Sequence, residues 1–332
     1  KIVNMLPPIL SQNILSLLPN KKRKSITLWI TILNNRIIST KIEKTIIINK
    51  KSFSYDEFEK KHINNENSRF YKMIHIIKCL DYKNLLEKYK NTFDSHRLIE
   101  KLMIIYNCEA CTFIKKHNEN PIYRIHKKIE RPIQQSILMD NCLKDFLGII
   151  YSKSAEYSFD SNNTLHESLE IDDYIHFTSP IRRYVDCYHH SLIHKIVSNT
   201  SLEKKISIDI EYINKINKSI KKSNRMFSSI ILGNHIKEQN QTMFKGYIYD
   251  LSEFKVSIYL PNEKISIYKN LFHKSIQTIY NVYIEHNHVI IINTQTNKIN
   301  KIQMYTLIDI CVYNVVDKNP YKNIVIDLRL DL

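Results

Sequence analysis

Apolar positions along this chain follow first one period and then another. Near the start, SITLWITIL (25–33) and the alternating IISTKIEKTIII (37–48) predict two strands, after a Pro-containing entry, NMLPPILSQ. Residues 54–90 read as helices. HRLIEKLMIIYNCEACTFIKK (96–116) then sets Leu98, Leu102, Ile105 and Cys108 on one face at spacings of three and four, with Asp94 or Ser95 as its cap. Residues 120–175 are shorter and mixed. In HFTSPIRRYVDCYHH (176–190) a helix is expected to open at Thr178 or Ser179, with Pro180 at its first position. Ile181, Tyr184, Val185, Tyr188, Leu192, Ile193 and Ile196 form its apolar stripe. A further helix around 207–232 would put Ile208, Ile213, Ile216 and Ile220 inside, with Lys215, Lys218, Lys221, Lys222 and Arg225 on its other face.

After about 236 the texture changes to short strands: MFKGYIYD, KVSIYL, KISIYKN, TIYNVYIE with HVIIINT, LIDICVYNVV and NIVIDLRL. PNE (261–263) and EHNH (285–288) supply turns. This reads as a small β-barrel at 236–332, with an OB fold the expected kind, following an α+β domain at 1–235.

Composition sharpens this picture. At 332 residues, 25% charged and 43% apolar, the chain can bury a large core in more than one domain. A Lys, Asn, Ile and Tyr bias runs its whole length and contributes to a net charge of +16. That charge favours a polyanionic partner, nucleic acid before an anionic membrane. Gly148, Gly233 and Gly246 are the only glycines, too scattered for a phosphate-cradling loop. No apolar run reaches the roughly 18 residues of a membrane span. Opening on KIVNMLPPIL, without an initiating Met, the chain reads as a piece of a longer polypeptide.

The six cysteines (79, 108, 111, 142, 187 and 311) are spread out, as reduced thiols in an intracellular compartment, cytoplasm or nucleus, would be. Cys108-x-x-Cys111 sits inside a helix without a second pair, and reads as core. His190 and His194 lie four apart but lack the adjacent Glu of a zinc hydrolase, so they read as ordinary polar side chains. Arg182 and Arg183 stand out. In the first turn of a helix they would oppose its dipole by about 0.3–1 kcal/mol. Docking a phosphate on that turn and its Ser/Thr pair would reverse the sign. Arg182 and Asp186, four apart, can pair; structural salt bridges within a cleft are the alternative to phosphate binding.

HFTSPIRRY with Asp186 and His190 resembles the signature of the ribonuclease II/R (RNB) family, which includes the exosome-associated exoribonuclease. NMLPPILSQNILSLLP with Arg23, SFSYDEF, HRLIEKLMIIYNCEA, IYRIH, SAEYS and His166 resemble further family segments in the family's order. The tail is similar to its C-terminal RNA-binding OB domain. The resemblance implies processive 3′→5′ hydrolysis of single-stranded RNA to nucleoside monophosphates, with Mg²⁺ at the reacting phosphate and possible membership of an exosome-like complex; it implies no membrane partner. It gives catalytic roles to Arg182, at that phosphate, and Tyr55, beside the 3′-terminal nucleotide. Arg183, Ser179, Thr178, Glu100, Asn107 and His176 make up the implied substrate-binding set.

The chain also departs from the family pattern. The family's metal-holding aspartates precede the MLPPILS segment, so no metal ligand is assigned here and the Mg²⁺ ligands are expected upstream. Asp172-Asp173 reads as loop charge. The stretch 83–97 is short, and Phe93 is a poor substitute for the family's base-stacking aromatic. Ser191 replaces an Arg, and Asn224 a catalytic-region Glu. A degenerate RNA-binding subunit without nuclease activity is therefore the alternative.

Overall fold

The computed structural model describes residues 4–83, 85, 93–127, 142–143, 146–148, 154–200, 207–239, 243–252, 255–270, 280–285, 288–293, 297, 299–305, 307–317 and 324–329. The chain forms two compact units, one from residues 1–128 and 154–210, the other from 129–153 and 211–332.

The first unit begins with the expected strands. β1 (Lys22–Leu33) and β2 (Arg36–Ile48) pair antiparallel as a long hairpin. Asn34 and Asn35 close it with φ of 49° and 60°, the doubly left-handed geometry of a two-residue turn that Asn tolerates better than most residues. Ile26, Leu28, Ile30, Ile32, Ile37 and Ile42 face inward onto helices. Three of these helices follow: α1 (Tyr55–Phe58), α2 (Tyr71–Cys79) and α3 (Ser95–Lys116).

Asp94 caps α3 as expected, accepting the Arg97 N–H at 2.7 Å. Leu98, Ile105 and Cys108 are buried along it, and Ala110, Cys111 and Ile114 continue the stripe against Tyr123, Ile175, Phe177, Leu192 and Ile193. Each leucine, isoleucine or phenylalanine so removed from water contributes about 1.5–3 kcal/mol. Cys108 and Cys111 are free and fully buried. Burial pushes the Cys108 thiol up to about 11 and Cys111 higher still, the behaviour of packing groups rather than of redox or zinc-binding thiolates. β3 (Tyr123–Ile125) pairs antiparallel with β4 (Glu156–Ser158), and α4 (Tyr184–Ser198) completes the unit.

The second unit contains α5 (Ile210–Gln239), longer than the sequence pattern implied. Its expected inner face is not all inside: Ile216 and Ile220 are exposed, as are Tyr212, Phe227 and Ile231, while Leu232 and Ile236 are buried. Helical period marks an apolar stripe but does not say that a neighbour covers it.

β5 (Met243–Ser252), β6 (Lys255–Leu260), β7 (Ile265–Asn270), β11 (Leu307–Asp317) and β12 (Ile324–Arg329) form an antiparallel sheet in the order β12-β11-β5-β6-β7. The sheet curls until its edge strands β12 and β7 approach each other. β8 (Tyr280–Glu285), β9 (His288–Asn293) and β10 (Ile299–Gln303) make a separate three-stranded meander, of which the sequence pattern missed β10. PNE lies in the β6–β7 turn; the middle of EHNH falls outside the described residues. Gly246 faces the curled interior, where a Cβ would lie 2.4 Å from Ile310 Cδ1 and 2.9 Å from Ile258 Cγ2. On the other face of β5, Tyr247 and Tyr249 pack with Leu143, Leu147 and Tyr259. Among the described residues no helix is long and apolar enough to cross a membrane.

Candidate functional site

The signature segment 174–183 is held from three sides. From below, α3 presents Asn107, buried in the core. Its Oδ1 accepts the Phe177 N–H at 2.9 Å and its Nδ2 donates to the Tyr174 hydroxyl at 3.0 Å. From one flank, β3 donates the Arg124 N–H to the Tyr174 carbonyl at 2.7 Å, and Tyr123 bridges to Ile175.

From the other flank, two successive histidines of α4 reach successive carbonyls. His189 Nδ1 lies 2.8 Å from the His176 carbonyl and His190 Nε2 3.0 Å from that of Phe177. His190 also stacks on the Phe177 ring at 4.1 Å. His189 Nε2 accepts the Ile122 N–H at 2.9 Å, so Nδ1 carries the proton and the ring is neutral. Complete burial draws its pKa down to about 4.

The helix does not open at Ser179-Pro180. Residues 180–182 form a turn, Arg183 is extended (φ −130°, ψ 121°), and α4 starts at Tyr184. Arg182 and Arg183 therefore precede the first turn, and the dipole conflict read from the sequence disappears. The expected Arg182–Asp186 pair is also replaced. Asp186, with no exposed surface, accepts Arg183 Nη2 at 2.7 Å and the Ser179 N–H at 2.7 Å on the same oxygen, Oδ1. A carboxylate removed from water needs donors at close range. The extended Arg183 and the turned-back Ser179 amide provide them, which a continuous helix from Pro180 would not. Arg182 is left exposed, its Nη2 3.4 Å from Ser179 Oγ; Arg183 Nη2 lies 3.5 Å from Thr178 Oγ1.

Beside this turn lie two residues that the sequence reading placed only in family-like segments, IYRIH and SAEYS. Arg124 and Tyr157 are cross-strand partners on β3 and β4, with the guanidinium 4.4 Å over the ring. The Tyr157 hydroxyl is 2.8 Å from His176 Nδ1. Burial, with Arg183 and Arg124 nearby, holds His176 down to about 2, so it is neutral. Burial raises the Tyr157 hydroxyl above the ordinary tyrosine value, so it too is neutral near pH 7. Among the described residues three buried side-chain polar atoms lack a hydrogen-bond partner, and all three are here: Arg124 Nη1, Arg183 Nε and Asp186 Oδ2.

The other expected site residues lie near the N-terminal end of α3, on α3 itself and on α1 beside it. Glu100 pairs with Arg97 at 2.7 Å. Tyr55 stacks on His96 at 3.8 Å and lines a mostly apolar cavity of about 570 Å³ with Phe53, Phe58, Phe70 and Met73. Its carbonyl accepts Ser95 Oγ at 3.2 Å, twelve residues before Asn107, so α3 separates the two anchored segments by about 18 Å. Phe93 packs into the core beside Leu98 and Leu80 rather than presenting a ring to a ligand. Asp173 pairs with Lys115 at 2.7 Å, in keeping with loop charge. Among the described residues no three His, Cys, Asp or Glu side chains group as metal ligands would. The chemistry on offer at this turn is anion binding by guanidiniums, hydroxyls and amides.

A family model described as "RNB domain" matches residues 1–82 and 72–199. The chain is 26% identical over 271 residues to ribonuclease R of Buchnera aphidicola subsp. Schizaphis graminum, covering 61% of the chain and 36% of that protein. It is 25% identical over 334 residues to ribonuclease R of Chlamydia trachomatis, covering 79% and 46%. The chain thus spans less than half the length of these relatives. Its fold is similar to Mycoplasma genitalium RNase R solved with ribose-methylated single-stranded RNA. The TM-score is 0.74 at 18% identity, over 95% of this chain and 60% of that one. It is also similar to yeast Ssd1, described as a pseudonuclease, with a TM-score of 0.60 at 15% identity over 90% and 44% of the two chains.

Proposed function

Because the chain belongs to the RNB-domain family, we propose that it is the RNA-gripping part of an exoribonuclease that shortens single-stranded RNA from its 3′ end to nucleoside monophosphates. The observation that carries this reading is the Asp186 clamp. One buried carboxylate ties down Arg183 and the Ser179 amide, which leaves Arg182 facing solvent on a fixed turn. Attack on a phosphodiester builds negative charge on its non-bridging oxygens, and a guanidinium held there lowers the barrier. Arg182 fills that role, Arg183 adds a second positive charge, and the Thr178 and Ser179 hydroxyls with neutral His176 line the approach. Asn107 positions this segment from beneath. Tyr55 and Glu100, near the far end of α3, meet the strand at other nucleotides than the one at Arg182.

Divalent ions, in such an enzyme, supply an activated water and neutralise the leaving oxygen. The described residues offer no set of ligands for them, so this reading places those carboxylates upstream of residue 1. A reducing intracellular compartment, an exosome-like assembly and an OB-type role for the curled sheet belong to the same proposal. A second reading, an RNA-binding subunit without hydrolysis, draws support from that donor set and from the likeness to a pseudonuclease.

Titrating a labelled single-stranded RNA into the 332-residue chain, with a gel for shortened products, tests the proposal. Binding is expected to weaken with salt at a slope of about −0.7 per phosphate neutralised, without degradation in Mg²⁺ or Mn²⁺. The complete protein, assayed alongside, is expected to trim the RNA; a complete protein that only binds it supports the second reading. Chelator-sensitive 3′ trimming by this chain alone would place the metal site within it, and absence of binding would remove the RNA role.

A further inference from the structure

Arg124 is the cation that the reading above leaves without a task. Its backbone is built into β3, and its guanidinium lies over Tyr157, whose hydroxyl meets His176 at the head of the signature segment. It therefore borders the same turn as Arg182 and Arg183. The local charge is one-sided. Arg124, Arg182 and Arg183 are faced by buried Asp186 and by Glu156, next to Tyr157 on β4, a net of about +1 with neutral His176 and Tyr157 (three guanidiniums less two carboxylates).

The three unpartnered atoms decide what is missing. Arg183 Nε and Asp186 Oδ2 are a donor and an acceptor on groups already joined through Nη2 and Oδ1, and a small rotation of the fork would satisfy both. Arg124 Nη1 has no such counterpart among the described residues. A buried guanidinium N–H without an acceptor is costly, and an ordered water or a ligand oxygen would satisfy it.

We propose that Arg124 is a phosphate-binding residue, its Nη1 gripping a phosphate other than the one that reacts at Arg182. This rests on the reading of the site as an RNA channel. The ring of Tyr157 holds the guanidinium in place. The contact is made in the ground state, so it governs affinity rather than the chemical step. The phosphate has two possible sources, an internucleotide phosphodiester or a free phosphate group such as that of a released monophosphate.

The test compares the wild-type chain with Arg124→Met, which keeps length and apolar packing, and Arg124→Lys, which keeps charge. Single-stranded RNA binding is followed by anisotropy from low to moderate salt, and melting temperature with and without inorganic phosphate. Arg124→Met is expected to weaken RNA binding about tenfold and lower the salt slope by about 0.7, one phosphate's worth, with Arg124→Lys restoring most of the slope. Stabilisation by inorganic phosphate, absent in Arg124→Met, would make the free group a ligand as well; its absence in the wild type would restrict the site to the phosphodiester.

Unchanged RNA binding and slope in Arg124→Met would overturn the assignment and leave the RNA reading intact. If Arg124→Met fails to fold, Arg124→Lys decides: a retained slope supports the assignment, and a loss of one phosphate's worth in a folded protein counts against it. Should the wild type bind no RNA, the RNA reading falls. The phosphate-melting arm then judges Arg124 by itself, and no stabilisation there removes the assignment too.

Discussion

Arg182 and Arg183 are neighbours in sequence with opposite surroundings. Arg183 is fixed on a carboxylate that has no exposed surface, whereas Arg182 has only a long contact to Ser179 Oγ. Their roles should separate accordingly. In the complete protein, Arg182→Ala is expected to lower turnover on single-stranded RNA by on the order of 10²-fold or more, with a far smaller loss of affinity. Single-turnover rates and equilibrium binding on one oligonucleotide would show it. Equal losses in both, or an unchanged rate, would return Arg182 to a structural role. The importance of this pair was legible in the sequence, from two cations beside an expected helix start. Their partners were not. Whether Asp186 meets Arg182 or Arg183 depends on one extended residue, and helical spacing cannot report a backbone that has not yet become helical. Arg124 and Tyr157 were missed as a contact pair because a three-residue ladder leaves no periodic trace.

The regular elements follow their patterns closely where a core enforces them. The β1–β2 hairpin and α3 came directly from periods of two and 3.6 residues, since each packs one face on the other. α5 departs from expectation because its stripe is partly exposed, and β10 escaped notice because Ile299 and Ile302 in NKINKIQ (297–303) are too few to set a period. The curled sheet has a sharper requirement at Gly246, where any side chain would meet Ile310 and Ile258. Gly246→Ala is expected to destabilise the second unit by about 1–3 kcal/mol through overpacking. Chemical denaturation followed by near-ultraviolet signals from its tyrosines would measure it. The double substitution Gly246→Ala with Ile310→Val, which shortens the nearest side chain, should recover part of the loss. No change in the single variant would mean that β5 and β11 stand further apart than described.

At the scale of the whole chain, stability should depend on acid. His189 and His176 are held neutral in the fold, at about 4 and about 2, below the ordinary histidine value of 6.5. With folded values depressed, the unfolded chain takes up protons first as pH falls. Their contribution is complete above about 6.5 and is lost progressively below it, down to about 4 for His189 and lower for His176. Each costs about 1.4 kcal/mol per pH unit in that window. Urea midpoints between pH 7 and 5 should therefore fall, and His189→Gln, whose amide can still donate and accept, should flatten the dependence. A pH-independent midpoint would mean that these rings are hydrated. One helix gives the molecule a further property. α3 fastens Tyr55 at Ser95 and Phe177 at Asn107. A residue inserted between those anchors would turn one of them through about 100° and slide it about 1.5 Å, so both hydrogen bonds could not survive. Length variation among natural versions of this chain should therefore be excluded from 95–107. That interval is an internal ruler against which insertions and deletions elsewhere in the lineage can be counted.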